Sequence, residues 1–365
     1  MAGERIHGEQ DPARGRRRPL LAWYRRHRRE LPWRATRDPY AIWISEAMLQ
    51  QTRVEAAEPF WRRFLAALPD VRSLAEASEE RVLELWSGLG YYRRARSLHA
   101  AAQVIVRDHG GSFPSELEAA RSLPGVGPYT AGAVLSIAYD RPEPVVDGNV
   151  ARVFARWFAL EGDPTTSASM RRFWALAGDL VPRRGGAGEW NQALMELGAT
   201  LCRPRDPFCS RCPVSARCRA HIEGSTASIP GTRARPETFD VELEVAWIQR
   251  RGRVLAFQRP AGGRMAGLWE FPTREAAAGG APRLHPELWP EGVRVEGASS
   301  LAELRHSITR HRICARVLPG GVVGTPAGGR WVPRAQLGEL ALTGLSRKVL
   351  GAELPSRSSP SPGPR

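Results

Sequence analysis

The sequence predicts two folded domains of different kinds: a mainly helical one from about residue 20 to 220, and a smaller β-rich or α+β one from 239 to 350. Three observations carry this. Apolar residues recur every three or four positions in the first stretch and every second position in the other. Between them, 221–238 (HIEGSTASIPGTRARPET) is small, polar and proline-rich, as an exposed linker is. The 365 residues suit two or three domains, and 42% hydrophobic with 25% charged residues excludes a wholly disordered chain.

Along the chain, residues 1–19, ending RGRRRP, read as a flexible basic arm. The helical runs are LAWYRRHRREL, AIWISEAMLQQTRV, RVLELWSGLG, LHAAAQVIVRDHG, TAGAVLSIAY, NVARVFARWFAL and RRFWALAGDLV, with glycines where they stop. In the second domain, Val241, Leu243, Val245 and Trp247 alternate with Glu242, Glu244 and Ala246 as in a half-buried strand. RGRVLAFQR, SITRHRICARVL and GGRWVP read as further strands, and 351–365 as a disordered tail.

The net charge of +15 makes a polyanion the default partner, divided +8 over residues 1–219 and +7 over 220–365. Of 53 basic residues one is lysine, Lys348, so 52 are arginines, which supply no deprotonatable amine for a Schiff base. No window approaches 18 consecutive apolar residues and the first 19 residues have no apolar signal segment, so a cytoplasmic protein without membrane contact is expected.

Leu123-Pro124-Gly125-Val126-Gly127-Pro128 joins two helical runs. Gly125 and Gly127 allow a tight turn whose backbone N–H groups face a phosphate beside a helix N-terminus, although a plain helix connector has the same letters. Four of five cysteines, Cys202, Cys209, Cys212 and Cys218, lie in one loop, spaced x6, x2 and x5. The spacing slightly favours an iron–sulfur cluster over structural zinc, which more often uses two separated knuckles. Five arginines share that loop with one acid, Asp206, as on a phosphate-contacting surface.

Taken together, the hairpin, the Asp147-Gly148-Asn149 that follows and the cysteine loop resemble the helix-hairpin-helix DNA glycosylases that carry a 4Fe–4S cluster. Within them, WISEAMLQQTRV (43–54), WSGLGYYRRAR (86–96), LPGVGPYTAGAV (123–134), VVDGNVARV (145–153) and WNQALMELGATLC (190–202) look like the adenine DNA glycosylase (MutY) family. The resemblance implies a mainly α helix-hairpin-helix glycosylase domain with the cluster held by Cys202, Cys209, Cys212 and Cys218. GLWEFP (267–272) resembles that family's Nudix-like C-terminal domain, and no Nudix-hydrolase box follows it, so a reader of DNA is implied rather than a nucleotide hydrolase.

Breaking an N-glycosidic bond to adenine needs a proton for the leaving base and a carboxylate for the oxocarbenium-like sugar, roles that Glu46 and Asp147 fit. Asp38-Pro39 caps and starts the helix of Glu46, whose neighbours Ile42, Trp43 and Leu49 are apolar, so desolvation raises its pKa and keeps it a proton donor. Asp147 precedes a run with Val150, Val153, Phe154, Trp157 and Phe158 on one face, and a helix N-terminus there favours its ionised form. The family places Tyr129 and Asn149 beside this pair. Endonuclease III-like glycosylase/lyases have lysine where Tyr129 stands, so the chain is expected to be monofunctional. The rival readings are a pyrimidine-lesion glycosylase/lyase and a non-catalytic DNA-damage-binding protein.

By the same resemblance, Gln51 and Tyr91, with Leu89 beside them, wedge into the gap left by the flipped base. Trp33, Arg34, Leu49, Val54 and Gln192 line the adenine pocket. The expected partner is double-stranded DNA with adenine opposite 8-oxoguanine or G, bound by a monomer associated with the bacterial nucleoid. The family reads 8-oxoguanine with a Phe-Ser-His motif; here Ile308 and Arg310 replace its Phe and His, leaving the hydroxyls of Ser307 and Thr309 as readers.

Overall fold

The computed structural model describes residues 15–231, 237–260, 262, 265–276, 288–297, 299–324 and 326–354. Residues 1–14 of the expected arm, 232–236 of the expected linker and 355–365 of the expected tail lie outside them. Internal contacts divide the chain into two units, Met1–Glu76 with Ser97–Ala234 and Ala77–Arg96 with Arg235–Arg365.

The helices of the chain up to the linker are α1 (Arg17–His27), α2 (Pro39–Leu49), α3 (Val54–Ala67), α4 (Val71–Glu76), α5 (Glu79–Trp86), α6 (Arg93–Asp108), α7 (Leu117–Ser122), α8 (Pro128–Tyr139), α9 (Gly148–Trp157), α10 (Ser167–Leu180), α11 (Ala187–Thr200) and α12 (Arg219–Ile222). In the first unit, α2 and α8 pack on each other and are buried almost all round, which is why their sequences read as apolar on every side rather than as a stripe. Asp38 accepts from the Tyr40 and Ala41 N–H groups and Pro39 begins α2, as the sequence predicts. Helix α11 packs on both α8 and α9. That crossing needs a glycine: a Cβ on Gly198 would stand 2.7 Å from the Asn149 Cβ.

Three boundaries differ from expectation. Helix α1 begins at Arg17, not Leu20, because its N-terminal arginines find fixed partners. The buried Arg16 guanidinium donates twice to the Arg217 carbonyl, at 2.8 and 3.2 Å, and lies 5.0 Å over the Phe158 ring. The expected linker is packed as far as Gly231: Ile229 is buried, its carbonyl accepts from Arg156 Nε at 2.8 Å, and the Gly231 N–H donates to Gly162. Finally, 77–96 belongs to the second unit, where the Tyr92 hydroxyl donates to the Leu342 carbonyl at 3.1 Å and the Arg347 guanidinium donates to Ser87 Oγ. A helical period says which face is buried, not which domain covers it.

In the second unit, β1 (Phe239–Trp247), β2 (Gln249–Arg250), β3 (Arg253–Gln258), β4 (Trp269–Glu270), β5 (Thr273–Glu275), β6 (Val293–Val295), β7 (Ala302–Ile308), β8 (His311–Val322) and β9 (Gly329–Pro333) precede α13 (Gly344–Gly351). One sheet runs β5-β1-β8-β6 with β7 on β8, and another runs β2-β3-β4 with β9 on β3. Val241, Leu243 and Val245 turn inward onto Phe271, Ile313, Val317 and Val349, as the alternation predicts. SITRHRICARVL is not one strand but a hairpin, with Ile308 paired to His311 across Thr309 and Arg310. Thr309 holds φ +53°, a strained value for a β-branched residue, and no glycine or asparagine announces the turn.

Candidate active site

A cleft of about 520 Å³ opens in the first unit, lined from α2, the turn after it, α8, the start of α9, α11 and the short 3₁₀ turn Pro32–Arg34. Trp33, Arg34, Glu46, Leu49, Gln51, Val54, Tyr129, Asp147, Asn149 and Gln192 all line it. The remaining expected contacts do not. Leu89 (8% exposed) and Tyr91 (55% exposed, φ +49°) lie in the segment that groups with the second unit, and Ser307 and Thr309 lie in its β7–β8 hairpin. Gly125 and Gly127 form the turn between α7 and α8. There Gly125 has φ +74°, and a Cβ on it would meet Ser97 Cβ at 2.4 Å.

Glu46 is 5% exposed, with Ile42 and Trp43 buried beside it. The Tyr129 hydroxyl donates to its Oε2 at 2.7 Å, with Met195 Sδ 3.3 Å from the same oxygen of Tyr129. Burial first, and the charge of Asp147 after it, push the Glu46 carboxyl up to about 7, against the lowering pull of Tyr129 and Arg34. Such a carboxyl is a proton donor at neutral pH. Burial also lifts the Tyr129 phenol well above its ordinary value, so it acts as a neutral donor.

Asp147 caps α9: its Oδ1 accepts from the Val150 N–H at 2.7 Å and its Oδ2 from Asn149 Nδ2 at 2.9 Å. The helix terminus and these donors pull toward the ionised form. Burial outweighs these hydrogen bonds and raises the Asp147 carboxyl, so the helix terminus limits the penalty without reversing it. Asn149 is held in turn, its Oδ1 accepting from Arg152 Nη2 at 2.8 Å while Arg152 Nε donates to the Cys202 carbonyl.

The sequence reading missed the ion cluster that shapes the other wall. Glu196, fully buried on α11, accepts through Oε1 from the Arg29 N–H and Nε at 3.1 and 2.9 Å, and through Oε2 from Arg29 Nη2 at 2.9 Å and Arg34 Nη2 at 2.8 Å. These donors hold its carboxyl down at about 2 against the effect of burial. The signal was the one used for Glu46, an isolated glutamate in an apolar helical stretch, and it sits one turn after Gln192 on the same face.

Cys202, Cys209, Cys212 and Cys218 line one small cavity with Arg156, Trp157, Leu197 and Leu201. No disulfide joins them. Among the described residues, no three His, Cys, Asp or Glu side chains are grouped to hold a metal ion. Arg156, near the C-terminus of the helix that Asp147 caps, ties the loop down: Nη1 donates to the Arg203 carbonyl at 2.6 Å and lies 3.4 Å from Cys202 Sγ, and Nη2 donates to Pro204. Among the described residues no helix is long and apolar enough to cross a membrane.

Residues 44–178 match the family model of the HhH-GPD superfamily base excision DNA repair protein, and 244–352 match that of the NUDIX domain. With two carboxyls facing one cleft beside a helix-hairpin-helix turn, the chain is a DNA glycosylase of base excision repair with a Nudix-like C-terminal domain. It is 36% identical to the adenine DNA glycosylase of Rattus norvegicus over 91% of this chain and 77% of that one, and 34% identical to that of Homo sapiens over 90% and 72%. A thermostable thymine-DNA glycosylase of known structure aligns over 58% of this chain and 97% of its own at 31% identity, with a TM-score of 0.53. The chain belongs to the adenine DNA glycosylase family.

Proposed function

We propose that this enzyme hydrolyses the N-glycosidic bond of adenine opposite 8-oxoguanine, and less stringently opposite G, without lyase activity. The observation that carries the reading is Glu46, a buried carboxyl with a pKa of about 7, facing the same cleft as Asp147. Glu46 protonates the departing base, with Tyr129 orienting the carboxyl, while Asp147, fixed by Val150 and Asn149, stabilises the positive charge that grows on the sugar carbon. Trp33, Leu49 and Val54 supply apolar walls for a base turned out of the helix, and Gln51 fills the space it leaves. Gln51 stands at the cleft's exposed edge with φ +60°, and the surrounding turn holds that costly conformation in place.

The test is duplex cleavage by alkali after incubation with adenine opposite each of G, C, T and 8-oxoguanine. Strand scission should be greatest opposite 8-oxoguanine, and borohydride should trap no protein–DNA adduct. Trapping would restore the lyase reading, and loss of adenine specificity would end this one.

The four thiols share one cavity and are soft donors, which suits a 4Fe–4S cluster held by Cys202, Cys209, Cys212 and Cys218. Held there, the cluster would supply a structural anchor, and the arginines of the loop would face DNA phosphates. Protein prepared without air should contain about four irons per chain by elemental analysis, whereas one zinc per chain overturns the assignment.

Reading of 8-oxoguanine we assign to the β7–β8 hairpin. Replacing Ser307 and Thr309 together with alanine should lower the ratio of excision opposite 8-oxoguanine to that opposite G by about fivefold to tenfold, as expected for one or two lost hydrogen bonds. An unchanged ratio at matched salt rules this hairpin out as the reader.

A further inference from the structure

A second cavity, of about 380 Å³, abuts the cleft within the same unit. Arg34, Ile137 and Gln192 line both spaces, so these side chains form the partition between them. Its parts are unequally held. Arg34 is pinned by Glu196 Oε2 at 2.8 Å and the Arg29 carbonyl at 3.0 Å, and its guanidinium lies 5.5 Å over the Tyr24 ring. The Gln192 side chain makes a single hydrogen bond among the described residues, accepting from the Tyr24 hydroxyl at 3.2 Å. One neutral hydrogen bond is readily broken at thermal energies, so the amide swings aside while the more firmly held Arg34 stays.

The second cavity has its own exposed rim at Arg28 and Arg37, separate from the cleft's edge at Gln51. Its lining carries both signs of charge. Arg28, Arg34 and Arg37 line it together with Asp140, which accepts from the Gly186 and Gly188 N–H groups, and with Glu189, which Arg25 already holds at 2.6 Å, while Glu196 is shared between Arg34 and Arg29. These side-chain and backbone donors and acceptors can satisfy a planar heterocycle with ring nitrogens and an exocyclic amine.

We propose that this cavity is the departure chamber for the excised nucleobase. Once the glycosidic bond is broken, the abasic sugar still fills the way the nucleotide entered. Gln192 turns, and the free base passes beneath Tyr24 into the chamber and out between Arg28 and Arg37 while DNA stays bound. The inference rests on reading the cleft as the base pocket.

The experiment uses the full chain in excess over a duplex whose target adenine is tritiated and lies opposite 8-oxoguanine. Alkali-labile strand measures bond breakage, and filtration that retains the protein–DNA complex measures free base. The native enzyme should pass tritiated base into the filtrate as fast as the bond breaks, with abasic strand still on the filter. In the double variant Arg28→Trp with Arg37→Trp, bond breakage should be unchanged and the base should lag behind it by about tenfold or more, product exit having become limiting. Base that stays on the filter with abasic strand in the native enzyme, or that keeps pace with cleavage in the double variant, overturns the chamber alone. A duplex yielding no alkali-labile strand overturns the reading of the cleft, and the chamber with it.

Discussion

Glu46→Gln is expected to fold and bind DNA yet release adenine about 10² to 10⁴ times more slowly, the usual contribution of a general acid. The amide keeps the size of the carboxyl and still accepts from the Tyr129 hydroxyl, so the α2–α8 contact survives, but it has no proton to give. The pH profile makes the test specific. Burial raises Glu46 to about 7, and the protonated form is the active one, so native single-turnover excision should hold below that pH and fall as pH rises through it. The residual rate of the glutamine variant should lack that fall. Base release within a few-fold of native, or an unchanged pH limb in the variant, removes Glu46 from the mechanism.

Glu196→Gln should be the most damaging to stability of the substitutions considered. The carboxylate has no exposed surface and receives four hydrogen bonds from two arginines, so its neutral replacement leaves Arg29 and Arg34 charged against a wall that no longer balances them. Breaking a buried pair in this way costs about 3 to 5 kcal/mol, and the partial exposure of Arg29 places the expected loss near the lower end. The dependence on pH has a fixed sign. The folded carboxyl sits near 2, below the unfolded value of about 4.3, so its contribution is complete above the unfolded value and is lost as pH falls through the folded one. Denaturant titrations at neutral pH and near pH 3 should therefore show the native and variant proteins converging in acid. Equal midpoints at neutral pH would show that the cluster adds nothing to stability.

Much of the cleft was legible because its chemistry is written in short-range exceptions. Glu46 is a charge in an otherwise apolar helix, Asp147 a cap before an amphipathic one, and the hairpin a pair of glycines before a proline. Glu196 carried the same kind of signal and passed unnoticed, since its arginine partners lie more than 160 residues away. The Thr309 turn was not legible, because its strained φ has no side-chain signature in the sequence and is imposed by the pairing of β7 with β8.

The sequence by itself determined the division into a helical and a β-rich part, the caps that start α2 and α9, and the inward alternation of β1. Each follows from local periodicity and backbone hydrogen bonding, which act over a few residues. Only the tertiary structure decided that segment 77–96 joins the second unit, that residues up to Gly231 pack where a linker was expected, and that burial lifts Asp147 despite its helix terminus. These depend on which distant surface removes water from a group, and desolvation is a property of the assembled fold rather than of any stretch of chain.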